Sequence, residues 1–214
     1  MLAELVHPLR MLPEAPAEGV AYAGVLSLPW WTVGLLIAAL AVLTSYFLCD
    51  RVRQTPQPLA RLAWTVAATI ALAGGGWAMQ FVGLLAYARP FAVNPDPGAV
   101  LTSMLPGLLA AMAVVWVCTR QPARAWHAWL GSMVFALGIG MMQYAGFMSL
   151  SFEGRLAFDR RLLALALLLA LLLALLAFLW CRRNSGLPAY ALWTLTMSSA
   201  LAALHYTALR ATYF

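Results

Sequence analysis

The chain has 214 residues, of which 64% are hydrophobic and 9% charged, with a net charge of +6 and a mean hydropathy of +0.85. Its apolar residues fall in separate runs near the length of a bilayer crossing, which excludes a soluble globular enzyme and implies an all-α, polytopic protein embedded in the lipid bilayer. The arginine excess sits in short loops between those runs, as membrane topology requires, so it is no nucleic-acid footprint.

Residues 1–28 read as an extramembrane lead broken by Pro8, Pro13 and Pro16, with an interfacial turn through Tyr22. Its mixed charges, Glu4, Arg10, Glu14 and Glu18, do not match a signal peptide. The membrane domain is assigned to residues 29–210. Span 1, about 29–49, opens on Pro29, whose missing N–H has no partner to lose in a first helical turn. A basic loop with Arg51, Arg53 and Arg61 follows. Span 2, about 62–87, contains Gly74-Gly75-Gly76, and the proline-rich link 88–98 is expected to be irregular. Span 3, about 100–119, is expected to kink at Pro106. Arg120 and Arg124 mark a second basic loop before span 4, about 125–150, where Gly131, Gly138 and Gly140 allow a neighbouring helix to approach. Segment 151–161 is of mixed sign. Span 5, about 162–180, is a leucine-alanine run with no polar side chain and is expected to be the most lipid-exposed. Arg182 and Arg183 form a third basic turn, span 6 covers about 187–210, and no soluble output domain is read after it.

The three basic loops assign one side to the cytoplasm, which puts both termini on the periplasmic side of a bacterial inner membrane. Cys49, Cys118 and Cys181 each close an odd span just before arginine; they form no CxxC pair, and on the cytoplasmic side no structural disulfide is expected. A second landmark keeps the same period at the other end. Gly76-Trp77-Ala78-Met79-Gln80-Phe81-Val82-Gly83 returns as Gly140-Met141-Met142-Gln143-Tyr144-Ala145-Gly146 and as Ala203-Leu204-His205-Tyr206-Thr207-Ala208. The central polar residue stands at 80, 143 and 205, in steps of 63 and 62 residues, enough for two spans and their loops. Two-span units enter the membrane in one orientation, so the expected architecture is six transmembrane helices as three parallel two-helix repeats, pseudo-threefold about the membrane normal.

That arrangement brings Gln80, Gln143 and His205 to one depth near the outer boundary. Their plainest role is an interhelical hydrogen-bond layer. The ligand-binding alternative uses Met79, Met142 and His205 as a three-coordinate copper site, because thioethers and imidazole suit Cu(I), with Met141, Met148 and Met197 as further donors. Phe81, Tyr144 and Tyr206 fit an interfacial aromatic belt or the wall of a small pocket, making Gln80, Gln143, Tyr144 and Tyr206 the candidate cofactor-binding set. No carboxylate pair, Ser-His-Asp set or HExxH pattern points to catalysis, and the spans lack the interior carboxylates of a proton-coupled transporter.

The ordered motifs and six spans resemble the MHYT domain, a bacterial integral membrane sensor module, over about residues 30–209. Trp77-Ala78-Met79-Gln80-Phe81-Val82-Gly83-Leu84-Leu85-Ala86 follows the family's Trp-x-Met-His-Phe-x-Gly-Met-x-Ala pattern except at Gln80 and Leu84. The resemblance implies copper bound through Met and His near the outer face, and sensing of oxygen, carbon monoxide or nitric oxide. Here Gln80 and Gln143 replace two of the three histidines and Leu204 replaces one methionine, whereas His205, Tyr206 and Thr207 are kept. The expectation is a non-enzymatic sensor or accessory module, with copper as the candidate cofactor and a membrane protein partner carrying the output. An assembly subunit without metal is the alternative.

Overall fold

A computed structural model describes residues 10–12, 25–88, 94–120, 124–151, 157–181 and 186–213. Among the described residues seven helices build six membrane spans: α1 (Leu28–Gln54), α2 (Pro58–Leu85), α3 (Pro97–Thr102) with α4 (Met104–Thr119), α5 (Ala125–Met148), α6 (Arg160–Cys181) and α7 (Leu187–Arg210). The protein is a six-helix membrane-spanning bundle. A single proline occupies one of the first two positions of each of α1, α2, α3 and α7, where a backbone donor is not needed.

Two helices outrun their expected ends. α1 continues past Cys49 to Gln54, because Arg51 and Arg53 are good helix formers placed where the helix dipole favours cations. Arg53 pairs with Asp50 and donates from Nη1 to the Cys118 carbonyl at 2.9 Å, tying α1 to α4. α2 accordingly starts at Pro58 rather than near Leu62.

The third span breaks instead of bending smoothly. Pro106 cannot donate to the carbonyl of Thr102, and α3 ends there, with Ser103 between it and α4. Trp77 of α2 braces the break: its indole Nε1 lies 3.2 Å from both Val100 O and Ser103 Oγ. The motif tryptophan thus holds a neighbouring helix.

The link 88–98 and the lead are more ordered than expected where they are described. Strand β1 (Arg10–Leu12) pairs in parallel with β6 (Ala157–Asp159), which pairs antiparallel with β7 (Thr212–Tyr213). β2 (Val25–Leu26) pairs with β3 (Tyr87–Ala88), and β4 (Asn94–Pro95) with β5 (Leu150–Ser151). Asp96 then caps α3 by accepting from Ala99 N at 3.0 Å. All these strands adjoin the same end of the bundle, as the starts of α1, α3 and α6 and the ends of α2, α5 and α7 require. The turn expected at Tyr22 and the Arg182–Arg183 turn lie outside the described residues.

Three helical hairpins, α1–α2, α4–α5 and α6–α7, make the most extensive contacts, and α2–α4, α5–α6 and α7–α1 close them into a ring. Small residues permit this. Gly138 of α5 sits so close to Pro106 and Ala110 of α4 that a Cβ would lie 2.9 Å from the Pro106 carbonyl oxygen. α6 buries Ala166, Ala170, Ala174 and Ala177, leaving Leu165, Leu168, Leu172 and Leu176 outward, and 33% of its apolar stretch is buried, the smallest share of the six spans. At the end opposite the strands, Tyr46 of α1 stacks on Trp193 of α7 at 5.1 Å and meets Tyr190 edge-on at 4.8 Å.

Candidate functional site

Gln80, Gln143 and His205 each stand five residues before the last residue of α2, α5 or α7. They are 0%, 3% and 1% exposed, so none reaches lipid or water. Each side chain engages another of these three helices. Gln80 Nε2 lies 3.4 Å from the Met142 carbonyl oxygen of α5, and its amide rests on Gly146, where a Cβ would come within 3.0 Å of Gln80 Cδ. Gln143 Oε1 lies 2.8 Å from His205 Nδ1 of α7. The His205 ring in turn lies on Gly83 of α2, where a Cβ would overlap Nε2.

A carboxamide oxygen only accepts, so Nδ1 of His205 carries the proton and Nε2 presents a lone pair. That atom has no partner among the described residues, nor do Gln80 Oε1 and Gln143 Nε2. One acceptor, one donor and one imidazole nitrogen, one from each helix, are therefore buried with unused hydrogen-bonding capacity. Such atoms are costly in an apolar medium unless they serve a bound group or a bistable contact.

The thioethers take other directions. Met142 packs its sulfur on Gly107, in the seam between α4 and α5, with Cε 3.7 Å from that glycine's Cβ position. Met79 faces Gly34 of α1, with Cγ 3.8 Å from the equivalent position. Met141 and Met148 are 62% and 38% exposed, and Met197 lies beside Cys49 and Cys118 in the other half of the bundle. Met142 also reaches the Gly76 position of α2 with its Cε, at 3.9 Å, while the contacts of the His205 ring include Gln143, Gly83 and Tyr206. A carboxamide is a poor ligand for Cu(I), so Gln143, which lies against the His205 ring, adds no good donor to a Met79–Met142–His205 copper set. Among the described residues no group of three His, Cys, Asp or Glu side chains is placed to hold a metal.

The aromatic set divides. Tyr206 lies between α7 and α1, its hydroxyl donating to the Trp31 carbonyl at 3.4 Å and its ring edge-on to His205 at 4.8 Å. Phe81 packs on Trp77 at 4.9 Å. Tyr144, 38% exposed, faces Phe158 at 6.0 Å and borders a cavity between α5, α6 and α7.

Sequence reasoning quoted Gly83, Gly146 and Ala208 as the closing residues of the three motif copies, each three residues after the polar position, but gave them no contact role. Two are the surfaces on which a side chain from another helix rests, and Ala208 lines the cavity beside Gln143. The available signal was a polar residue followed at i+3 by Gly, Gly or Ala in all three copies.

The family model MHYT, described as "Bacterial signalling protein N terminal repeat", matches residues 74–132 and again 137–193, together more than half of the chain. The two matches begin 63 residues apart, the same step that separates Gln80 from Gln143. The bifunctional diguanylate cyclase/cyclic di-GMP phosphodiesterase MucR of Pseudomonas aeruginosa is 29% identical over 188 residues, covering 84% of this chain and 27% of that protein. The cyclic di-GMP phosphodiesterase NbdA of the same organism is 26% identical over 210 residues, covering 95% of this chain and 27% of that protein. The chain therefore spans about a quarter of the length of these relatives. No solved structure matches it at a significant level.

Proposed function

Because the chain belongs to the MHYT family, a non-catalytic membrane sensor repeat, we propose that it is the sensory part of a signalling assembly in a bacterial inner membrane, with its output supplied by a further domain or a membrane partner. In this reading residues 29–210 form three parallel two-helix repeats, pseudo-threefold about the membrane normal. The strand-capped end faces the periplasm, and the end bearing Arg51, Arg53, Arg61, Arg120 and Arg124 faces the cytoplasm.

The single observation that carries the reading is the head-to-tail order of contacts, Gln80 on α5, Gln143 on α7 and His205 on α2. One step repeated three times closes on itself, as a threefold axis demands, and each step joins two different hairpins. A change at any one contact alters the fit of its two helices and, through the shared helices, the other two contacts. Packed interfaces respond to such changes by switching between discrete arrangements rather than deforming continuously. Gln80, Gln143 and His205 are therefore assigned as the coupling layer of the sensor, with Tyr206 linking it to α1. Copper has no part in this reading.

The relatives' names record synthesis or breakdown of cyclic di-GMP, and that is the output we assign to the assembly. The test is a chimera in which this chain replaces the matching quarter of MucR. Cellular cyclic di-GMP is compared between the wild-type module and Gln143→Leu at equal membrane abundance. A changed nucleotide level supports coupling through the layer; an unchanged level with a correctly inserted variant rejects it.

A further inference from the structure

We propose that the end of the α4–α5 hairpin binds an anionic phospholipid, with the guanidiniums of Arg120 and Arg124 on its phosphate and the outer faces of both helices against its acyl chains. This end lies opposite the layer of Gln80, Gln143 and His205, so the site is independent of the sensory reading.

The 13 basic residues of the chain are all arginine, whose planar fork of donors matches phosphate oxygens. Among the described residues the single carboxylate at this end is Asp50, and Arg53 takes it. Arg51, Arg61, Arg120 and Arg124 are exposed and keep their charge uncompensated at the edge of an apolar bundle, where lipid phosphates lie. Two of these four are held in place. The Arg120 guanidinium stands over the Trp116 ring at 5.0 Å, so its face is committed to the indole while its N–H edge stays open to an oxyanion. Arg124 caps α5: its N–H donates to His127 Nδ1 at 3.0 Å, and its carbonyl accepts from His127 N at 3.1 Å. His127, 3% exposed, meets Trp116 edge-on at 5.2 Å and Trp126 at 3.9 Å. One buried imidazole thus ties the support of Arg120 to the backbone of Arg124. Among the described residues no ring stands beneath Arg51 or Arg61.

The surface beside the arginines says which anion they take. Trp116 and Trp126 adjoin at 6.3 Å across the hairpin and are 36% and 50% exposed, so the outer faces of α4 and α5 form one surface. Leu109 and Met112 of α4 and Trp129 and Met133 of α5 are exposed as well and continue that surface towards mid-span. Indoles at the charged boundary with aliphatic side chains beyond them match the carbonyl and acyl regions of a lipid. A free phosphate would use the arginines and leave this surface uncovered. Net charge then selects among lipids. Phosphatidylcholine brings a cation that both guanidiniums repel, whereas phosphatidylglycerol brings the negative charge alone.

The experiment uses the full chain in detergent, titrated with dioleoylphosphatidylglycerol, with dioleoylphosphatidylcholine and with inorganic phosphate, and follows its unfolding temperature. A ligand that binds only the folded state raises that temperature with its concentration. The expected result is a saturable rise with the phosphatidylglycerol and none with the other two. Two double variants then remove the same charge from different hairpins, at exposed side chains that the bundle does not need for packing. Arg120→Gln with Arg124→Gln should weaken the apparent affinity about thirtyfold, whereas Arg51→Gln with Arg61→Gln should change it by less than about threefold. No rise with phosphatidylglycerol, an equal rise with phosphatidylcholine, or equal losses in the two double variants overturns the proposal, the last because it would mean a diffuse field with no site. A rise with inorganic phosphate that matches the phosphatidylglycerol replaces the lipid with a free oxyanion.

Discussion

His205 and Gln143, 62 residues apart and on different hairpins, share a hydrogen bond of 2.8 Å that neither lipid nor water can replace. Gln143→Leu keeps the volume and removes the acceptor, leaving Nδ1–H of His205 buried and unpaired. Interhelical hydrogen bonds in membranes contribute about 0.6 kcal/mol on average and up to about 1.7, so the variant is expected to lose about 1–2 kcal/mol. Unfolding in mixed detergent would read this loss. His205→Gln, which restores an amide donor, should lose less than His205→Ala; equal losses would mean that the bond contributes nothing.

Gly146 gives a sharper measurement, because Gln80 rests directly on it. Gly146→Ala forces the amide to move and is expected to destabilise the bundle by about 1–3 kcal/mol through overpacking. Gln80→Ala made in that background removes the obstacle and should recover part of the loss. The double-mutant cycle must therefore be non-additive, and additive costs would show that the two positions do not touch.

The six spans and the common depth of Gln80, Gln143 and His205 were legible in the sequence because apolar run length, loop arginines and a repeat near 63 residues are carried by residue identity alone. Side-chain direction is not carried that way. Met79 and Met142 are alike as letters in the motif, but only the structure shows that each packs against a glycine of its own hairpin partner, Gly34 or Gly107. Likewise Pro106 signals a bend, but the break at Ser103 also depends on the indole of Trp77 arriving from another helix. The capping strands escaped notice because pairs of two or three residues are too short to show a period of two.

Asp159 joins two of those elements. Its Oδ1 accepts from Arg161 N at 2.8 Å and Leu162 N at 3.2 Å, capping α6, while its own N–H donates to the Ala211 carbonyl at 2.8 Å just beyond α7. Asp159→Ala removes only the cap and should cost about 1 kcal/mol, whereas Asp159→Asn retains an accepting oxygen and should cost a fraction of that. Amide hydrogen exchange offers the local readout. Protection should fall in the first turn of α6 for the alanine variant and remain unchanged in α1, and uniform loss across the bundle would contradict a capping role.

Two adjacent glycines of α2 predict opposite signs. A Cβ on Gly74 meets nothing within 4 Å, and the residue is helical, so Gly74→Ala should stabilise by about 0.4–1 kcal/mol by restricting the unfolded chain. A Cβ on Gly75 would collide with the Ala41 side chain and approach Ala41 Cα to 3.4 Å, because α1 and α2 cross there with little between their backbones. Neither group can swing aside, so Gly75→Ala must push the helices apart and is expected to cost about 1–3 kcal/mol. Unfolding temperatures of the two variants in the same detergent should therefore bracket the wild type. If both fall together, Gly74 also serves a packing contact; if both rise, the crossing of α1 and α2 is looser than Gly75 and Ala41 require.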